Sequence, residues 1–392
     1  MTHTSLPAAF VRGGTSKGVI VRREDLPADP ARRDALLLAL MGSPDPYGKQ
    51  MDGLGGASSS TSKVALVSAS SRDDCDVDYL VAQVDVERPI VDYSANCGNL
   101  SSAIGPYALR AGLVAPREGI TEVRIWQENT ARRIIARVPV EQGVPVETGE
   151  YRIDGVRGSG ARIDLEFLDP AGSAFDTLLP TGRVIETIDV PGLDALDISV
   201  IDAGMVMVFV RAEDLGLSGT ESKADVDARP ALLAHLEAIR GAVATRLGLC
   251  ARADDAEAAT PALPKIAFVG PRVTHRVVGE QTIEAEAIDL VARGVSMGKL
   301  HHAYEVTGSI ATAAAAVLKG SIVQQVAGLA PAACQRVRIG HASGVIDVMV
   351  RTTPGATPAL VSATLGRTSR LLMEGTVHVP SFPTACPANE ES

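Results

Sequence analysis

The chain has 392 residues, of which 46% are hydrophobic and 21% are charged, a composition typical of folded globular proteins. Its formal net charge of -10 argues against broad nucleic-acid binding, which needs a basic surface. The five cysteines show no paired spacing, so we expect neither a disulfide framework nor a structural zinc site, and we expect a reducing cytoplasm. No uncharged apolar stretch reaches the ~18 residues of a transmembrane helix, so the sequence predicts no membrane association.

The length exceeds the ~250–300 residues at which single cores usually divide, so we expect two domains, residues 1–183 and 184–392. The first half predicts one amphipathic helix over 30–41 and a polar loop over 49–62. β-Branched residues recurring with period two predict its strands at 8–12, 19–21, 64–67, 77–86, 121–127, 132–140, 161–168 and 183–189.

The second half repeats this pattern. Its helices are predicted over 229–247 and 309–319, with an exposed loop over 247–264. Its strands are predicted at 197–201, 205–210, 265–269, 282–288, 336–340 and 345–351. Many strands with one or two helices in each half indicate an α+β fold and not a doubly wound α/β sheet.

Two short segments, 96–102 and 307–312, each lead from a small polar turn into an apolar helix. Such a start leaves backbone N–H groups free and favours a bound carboxylate or phosphate. Their equivalent settings indicate an internal duplication. The candidate donors and contacts in these segments are Asn96, Gly98, Asn99, Thr307, Gly308 and Ser309.

Cys97 lies within the first segment. A free cysteine is most often a small buried apolar side chain. Here its neighbours are Asn96, Gly98 and Asn99, and a helix start favours the thiolate. We therefore favour a catalytic or substrate-contacting role for Cys97.

Two glycine-rich loops carry further polar candidates. Residues 12–18 (RGGTSKG) are compatible with an ordinary hairpin turn or with a carboxylate-binding loop, and they lack the spacing of a phosphate-binding loop. Lys63 ends the loop over 51–63 and begins an apolar strand, where partial burial would lower its pKa and permit proton transfer. The alternative is a mobile loop with a solvated lysine. The remaining candidates in these loops are Arg12, Thr15, Ser16, Lys17, Ser60 and Ser62.

A third candidate segment contains Lys299 and two adjacent histidines. Neighbouring residues on a strand point to opposite faces, so His301 and His302 do not form a chelating pair. We expect His302 and Lys299 to contact substrate. Since no His, Cys or Asp cluster has metal-ligand spacing, no metal or other cofactor is expected.

Long motifs across the chain resemble the PrpF-type isomerases. They are RGGTSKG, DGLGGASSSTSKVALVS, YSANCGNLSSAIGPYAL, LLPTG at 178–182, and MGKLHHAYEVTGSIATAAAAVLKG. The resemblance implies the fold of diaminopimelate epimerase, in which two similar α+β domains wrap strands around a central helix and the active site lies between them. It also implies that Lys63 and Cys97 handle protons. The second helix start has no cysteine, which argues against a symmetric two-thiol racemase.

The implied activity is a cofactor-independent isomerisation that moves a proton on a small unsaturated di- or tricarboxylate such as 2-methylaconitate. A 4-oxalomesaconate-type tautomerase is an alternative, and a non-catalytic polycarboxylate-binding accessory protein is another. The presence of both Cys97 and Lys63 favours catalysis, since binding alone needs neither. The resemblance also implies a role in propionate metabolism and is compatible with a homodimer.

Overall fold

The structure is a computed structural model that describes residues 3–94, 96–190, 192–296, 298–330, 332–354 and 359–380. The helices are α1 Pro30–Met41, α2 Ser101–Arg110, α3 Lys223–Asp227, α4 Pro230–Arg246, α5 Ala256–Ala259, α6 Val306–Val317 and α7 Ile322–Ala327. The strands of the first half are β1 His3–Gly13, β2 Ser16–Arg22, β3 Lys63–Ala69, β4 Val77–Val84, β5 Val91–Asp92, β6 Gly119–Gln127, β7 Arg132–Glu141, β8 Val144–Pro145 and β9 Ile163–Leu168. Those that follow are β10 Glu186–Ile188, β11 Leu196–Asp202, β12 Val206–Arg211, β13 Lys265–Pro271, β14 His275–Arg276, β15 Thr282–Ile283, β16 Leu290–Ser296, β17 Lys299–Leu300, β18 Cys334–His341, β19 Gly344–Thr352, β20 Leu360–Arg367 and β21 Ser369–Pro380.

The order of strand pairing is the same in the two halves. In the first half, β1–β2 is antiparallel, β2–β3 parallel, β3–β4 antiparallel, β4–β6 parallel, and β6–β7 and β7–β9 antiparallel. In the second half, β11–β12 is antiparallel, β12–β13 parallel, β13–β16 antiparallel, β16–β18 parallel, and β18–β19 and β19–β20 antiparallel. The predicted α+β architecture of two similar halves is therefore confirmed.

The last two strands join the halves. β20 pairs with β9, and β21 pairs with β1, so the end of the chain returns to strands near its beginning. The proposed domain boundary between residues 183 and 184 stays a prediction. It lies between the two repeated strand series, whereas β21, which follows the second series, pairs with β1 of the first.

Helices α2 and α6 occupy equivalent places in the two series, since α2 lies between β5 and β6 and α6 lies between β17 and β18. Every residue of α6 is buried, and α2 is buried except at Tyr107 and Arg110. Several of their buried hydroxyls bond to backbone carbonyls close by in the chain: the hydroxyl of Ser102 donates to Asn99 O at 2.8 Å, and that of Thr312 donates to Gly308 O at 2.8 Å. These polar groups can therefore be buried without loss of their hydrogen bonds.

Two sequence predictions in the second half are wrong. The strand predicted over 282–288 ends at Ile283 and is followed by a 3-10 turn, Ala285–Ala287. The loop predicted as exposed over 247–264 contains α5 and the buried Leu263, because the guanidinium of Arg240 donates to the carbonyls of Thr260 and Leu263 and holds the loop against α4. Within the described ranges, no helix has the length and apolar character needed to cross a bilayer.

Candidate active site

A cleft lies where the start of α2 faces the start of α6. A Cβ atom added to Gly98 would lie 2.5 Å from Cγ1 of Val306 and 3.3 Å from Cγ2 of Thr307. The two helix starts therefore meet directly. The predicted residues that line this cleft are Ser16, Ser60, Lys63, Asn96, Cys97, Gly98, Asn99 and Thr307.

Cys97 lies four residues before α2, and only 9% of it is exposed. The N–H of Leu100 donates to its Sγ at 3.4 Å, and the Sγ lies 3.6 Å from Oγ of Ser16. A backbone N–H is therefore directed at the sulfur, as expected at a helix start. Cys97 borders both the hydrophobic core and the cleft.

Lys63 is the first residue of β3 and is half-buried, with its ammonium directed into the cleft. Its Nζ donates to Oε1 of Gln83, whose Nε2 in turn donates to Ser62 O at 2.9 Å. Burial lowers the pKa of Lys63, and the positive charge of Lys265 lowers it further, whereas the negative charges of Cys97 and Glu305 oppose this shift. The structure thus holds the amine in one orientation and lowers its pKa.

The cleft also contains an ion pair that the sequence analysis missed. Nζ of Lys265 donates to Oε1 of Glu305, and the two side chains are 14% and 12% exposed. Burial acts to raise the pKa of Glu305, but the positive charge of Lys265 and its hydrogen bond to the carboxylate act in the other direction, and the pKa is lowered. Burial lowers the pKa of the adjacent His301 to about 4, so this imidazole is neutral near pH 7.

A sequence signal for Lys265 exists. Lys265 begins β13 with the letters KIAFV, and Lys63 begins β3 with KVALV. Comparing the strands of the two halves would therefore have identified the second lysine. Glu305 has no comparable local signal, because its partner is 40 residues away in the chain.

Three of the residues predicted to bind substrate, all in the loop over 12–18, make contacts within the protein. The guanidinium of Arg12 donates to the carbonyls of Gly14 and Thr368, both at 3.0 Å. Nζ of Lys17 lies 5.2 Å from the centre of the Phe10 ring. The N–H of Thr15 donates to Oδ1 of Asn99 at 3.2 Å. The contact of Thr15 joins the β1–β2 turn to the segment before α2. A substrate-binding role for the three residues stays a prediction.

Other predicted residues also lie outside the cleft lining. Ser62 is fully buried, and its Oγ accepts from Nε2 of Gln50 at 2.7 Å. Lys299 and His302 line a neighbouring cavity that shares Ser60 and His301 with the cleft. Ser62, Lys299 and His302 are not among the residues that line the cleft, so we do not include them among the proposed substrate contacts.

At the start of α6, the predicted N–H donors are partly wrong. The N–H of Ser309 donates to Glu305 O at 2.7 Å, and its hydroxyl donates to Val306 O at 2.8 Å, so neither is available to a ligand. The N–H groups of Thr307 and Gly308 precede that first intrahelical bond. They remain the donors of this helix start, although only Thr307 is among the residues that line the cleft.

The charges that line the cleft do not form a cationic site. Lys63 and Lys265 are accompanied by Asp85, Asp92 and Glu305. Binding of a polycarboxylate therefore depends on backbone N–H groups and neutral polar side chains as well as on the two lysines. In the part of the chain that the structure describes, no group of three or more His, Cys, Asp and Glu side chains has an arrangement suited to a metal ion.

Comparisons with known proteins agree with this geometry. The family described as PrpF protein matches residues 3–380. A 2-methyl-aconitate isomerase of Shewanella oneidensis is 43% identical over 386 residues, which cover 95% of this chain and 96% of that protein. The crystal structure of a methylitaconate-delta-isomerase superposes with a TM-score of 0.79 at 38% identity, covering 97% of this chain and 96% of that one.

A more distant structure, a hydroxyproline epimerase from Agrobacterium vitis, superposes with a TM-score of 0.56 at 12% identity over 96% of this chain and 92% of that one. At this identity the likeness shows the fold alone, and it confirms the epimerase-like architecture. The match of the PrpF family extends over nearly all of the chain, and the identity to a named relative is high over the same length. The chain is therefore an isomerase that belongs to the PrpF family.

Proposed function

We propose that this isomerase moves a proton on a small unsaturated tricarboxylate and that 2-methylaconitate is its substrate. The observation that carries the proposal is the cleft itself, which brings Lys63 and Cys97 together between two facing helix starts. An amine and a thiol at an anion-binding site are suited to acid–base chemistry on a carboxylate substrate. Simple binding of a polycarboxylate requires neither group.

The reaction begins with the loss of an allylic proton. Lys63 takes this proton in its neutral form, and the electron pair of the C–H bond enters a dienolate whose charge spreads onto a substrate carboxylate. The thiol of Cys97 returns a proton to the carbon skeleton. Cys97 and Lys63 belong to the same half of the chain, and a Cβ added to Gly18 would lie 2.6 Å from Lys63 O and 3.3 Å from Cδ2 of Leu100, three residues after Cys97. A well-placed general acid or base contributes about 10²–10⁴ in rate.

The dienolate is stabilised by the backbone. Its donors are the N–H groups of Gly98 and Asn99 before α2 and of Thr307 in α6, three residues that line the cleft, together with that of Gly308 next to Thr307. Donors fixed in this way stabilise developing negative charge without reorganisation, and losing one costs about 10²–10³ in rate.

The preference for a methyl substituent is supported by apolar side chains in the cleft and by the similarity to a 2-methyl-aconitate isomerase. The apolar lining consists of Val81, Ile90, Met205, Pro261, Ala262 and Val306. Such a surface accepts a methyl group. One apolar contact discriminates by only about 1–3 kcal/mol, so the substituent has to be identified by experiment.

The test is proton NMR of a substrate panel in D2O. The purified protein is incubated with 2-methylaconitate, aconitate, methylitaconate and 4-oxalomesaconate, each as separate isomers. We expect isomerisation with deuterium incorporation, fastest for 2-methylaconitate. Faster conversion of 4-oxalomesaconate would assign a tautomerase activity instead, and no conversion of any member would contradict the proposal.

The same proposal includes a place in propionate metabolism, as the similarity to 2-methyl-aconitate isomerase supports. A cytoplasmic location is supported by the free thiols of the four cysteines that the structure describes, Cys75, Cys97, Cys250 and Cys334. A homodimer remains a prediction, which the molar mass in solution tests.

A further inference from the structure

The repeated topology relates the two lysines of the cleft. β3 and β13 occupy the same position in the two strand series, each being parallel to the preceding strand and antiparallel to the next. Lys63 is the first residue of β3, and Lys265 is the first residue of β13. Each follows a loop that reaches the cleft, through Ser60 in the first half and Ala262 in the second. Lys265 is thus the counterpart of Lys63.

The same repetition relates Glu305 to Cys97. The carbonyl of Cys97 accepts from the N–H of Ser101 at 3.0 Å, and the carbonyl of Glu305 accepts from the N–H of Ser309 at 2.7 Å. In each case the acceptor lies four residues before a serine in the first turn of the central helix. The residues that follow them, Gly98 and Val306, are in direct contact across the cleft. Glu305 therefore stands where a second thiol would complete the symmetry, on the opposite side from Cys97.

The carboxylate of Glu305 is not used to cap its helix. Glu305 is the N-cap residue of α6, yet its side chain accepts no hydrogen bond from the N–H groups of the helix. It pairs instead with Lys265 inside the cleft. A carboxylate with this orientation is available to substrate, as the thiol of Cys97 is on the other side.

We propose that Glu305, paired with Lys265, is a second proton-transfer group that acts on the face of the substrate opposite to Lys63 and Cys97. This inference rests on the proposed function. The carboxylate of Glu305 accepts a proton from a C–H bond on its own face, and the electron pair of that bond enters the dienolate. The carboxyl O–H then returns a proton to carbon, which restores the carboxylate, and in D2O the returned proton is replaced by a deuteron after exchange with solvent.

Binding of the substrate makes Glu305 a better base. Its pKa is lowered in the unliganded cleft by Lys265. Substrate carboxylates placed nearby raise the pKa, because like charges disfavour the ionised form. The pKa thereby moves towards the range in which a general base is most effective.

The number of deuterons in a substrate methylene group tests this assignment. Groups on both sides of the cleft exchange both hydrogens of the methylene, so the wild-type protein should give the CD2 product. Glu305→Gln removes the base with little change in volume and should stop at the CHD product, with the second deuteron slowed by about 10²–10⁴. Glu286→Gln, at an exposed glutamate outside the cleft lining, is the matched control and should behave as wild type.

Two results for the Glu305 variants would overturn the inference. One is a Glu305→Gln protein that introduces the second deuteron at the wild-type rate. The other is a Glu305→Asp protein in which the incorporation of both deuterons is slowed equally, which would show a structural role. Slower incorporation of only the second deuteron supports proton transfer. Because Glu305→Asp keeps a carboxylate, it also provides the test if Glu305→Gln does not fold. A wild-type protein that converts the tricarboxylate but stops at the CHD product would overturn the assignment of Glu305 while the proposed function stands, whereas a protein that converts no tricarboxylate would overturn both.

Discussion

The contact between the two helix starts makes Gly98→Ala an informative substitution. The added Cβ would lie 2.5 Å from Cγ1 and 2.8 Å from Cβ of Val306, and 3.3 Å from Cγ2 of Thr307. Val306 is 1% exposed, and its β-branched side chain has one preferred rotamer in a helix, so it cannot turn away. The start of α6 must therefore move relative to the start of α2.

Forcing an extra methyl group into a close-packed contact costs about 1–3 kcal/mol, and we expect this loss in the free energy of unfolding of Gly98→Ala. Because Gly98 and Thr307 line the cleft, we also expect kcat to fall about 10- to 100-fold, since a misplacement of about 1 Å can cost 10²-fold. Urea unfolding and steady-state kinetics of the same preparation measure both effects. Gly375→Ala is the control, because nothing lies within 4 Å of an added Cβ there. A Gly98→Ala protein with wild-type stability and kcat would refute the facing helix starts.

Four further predictions concern the chemistry of the cleft. Cys97→Ser should lower kcat by about 10²–10⁴ while leaving the unfolding transition unchanged, and near wild-type turnover would return Cys97 to a packing role. Gln83→Leu removes the acceptor for Nζ of Lys63. Because hydrogen bonds to charged groups contribute about 1.5–3 kcal/mol, this change should lower kcat about 10- to 100-fold with little change in KM. An unchanged kcat would mean that Gln83 does not orient the lysine. Burial lowers the pKa of Lys63, and we propose its neutral form as the base, so kcat/KM should rise with pH through a midpoint below the ordinary lysine value of about 10.4. A midpoint at or above that value would argue against this base. Treatment with EDTA should leave activity unchanged, whereas a loss restored by a divalent ion would contradict a cofactor-independent reaction.

The sequence was most informative where the chemistry is local. Cys97 in a polar helix start and Lys63 at the junction of a polar loop with an apolar strand are features of a few adjacent residues, and both side chains lie in the cleft. The two similar halves were also predictable, because alternating strands repeat along the chain.

Features that depend on distant partners were not predictable in the same way. The pairings of β20 with β9 and of β21 with β1 join segments about two hundred or more residues apart, and no local pattern records them. The ion pair of Lys265 with Glu305 is non-local for the same reason. The contacts of Arg12 with backbone carbonyls and of Lys17 with the Phe10 ring were not predictable from the loop either, since both cations were predicted only as ligand-binding groups.

The proposed function requires Lys63 to take the allylic proton of a tricarboxylate bound between the two helix starts. Lys63→Met removes the amine and keeps similar bulk, and Lys319→Met changes an exposed lysine outside the cleft lining as the matched control. Solvent-deuterium incorporation into 2-methylaconitate is measured by proton NMR, together with the binding of a non-reactive tricarboxylate analogue. We predict that Lys63→Met still binds the analogue but incorporates deuterium about 10²–10⁴ times more slowly, whereas Lys319→Met incorporates it at the wild-type rate. Incorporation at the wild-type rate in Lys63→Met would contradict the role of Lys63 as the base.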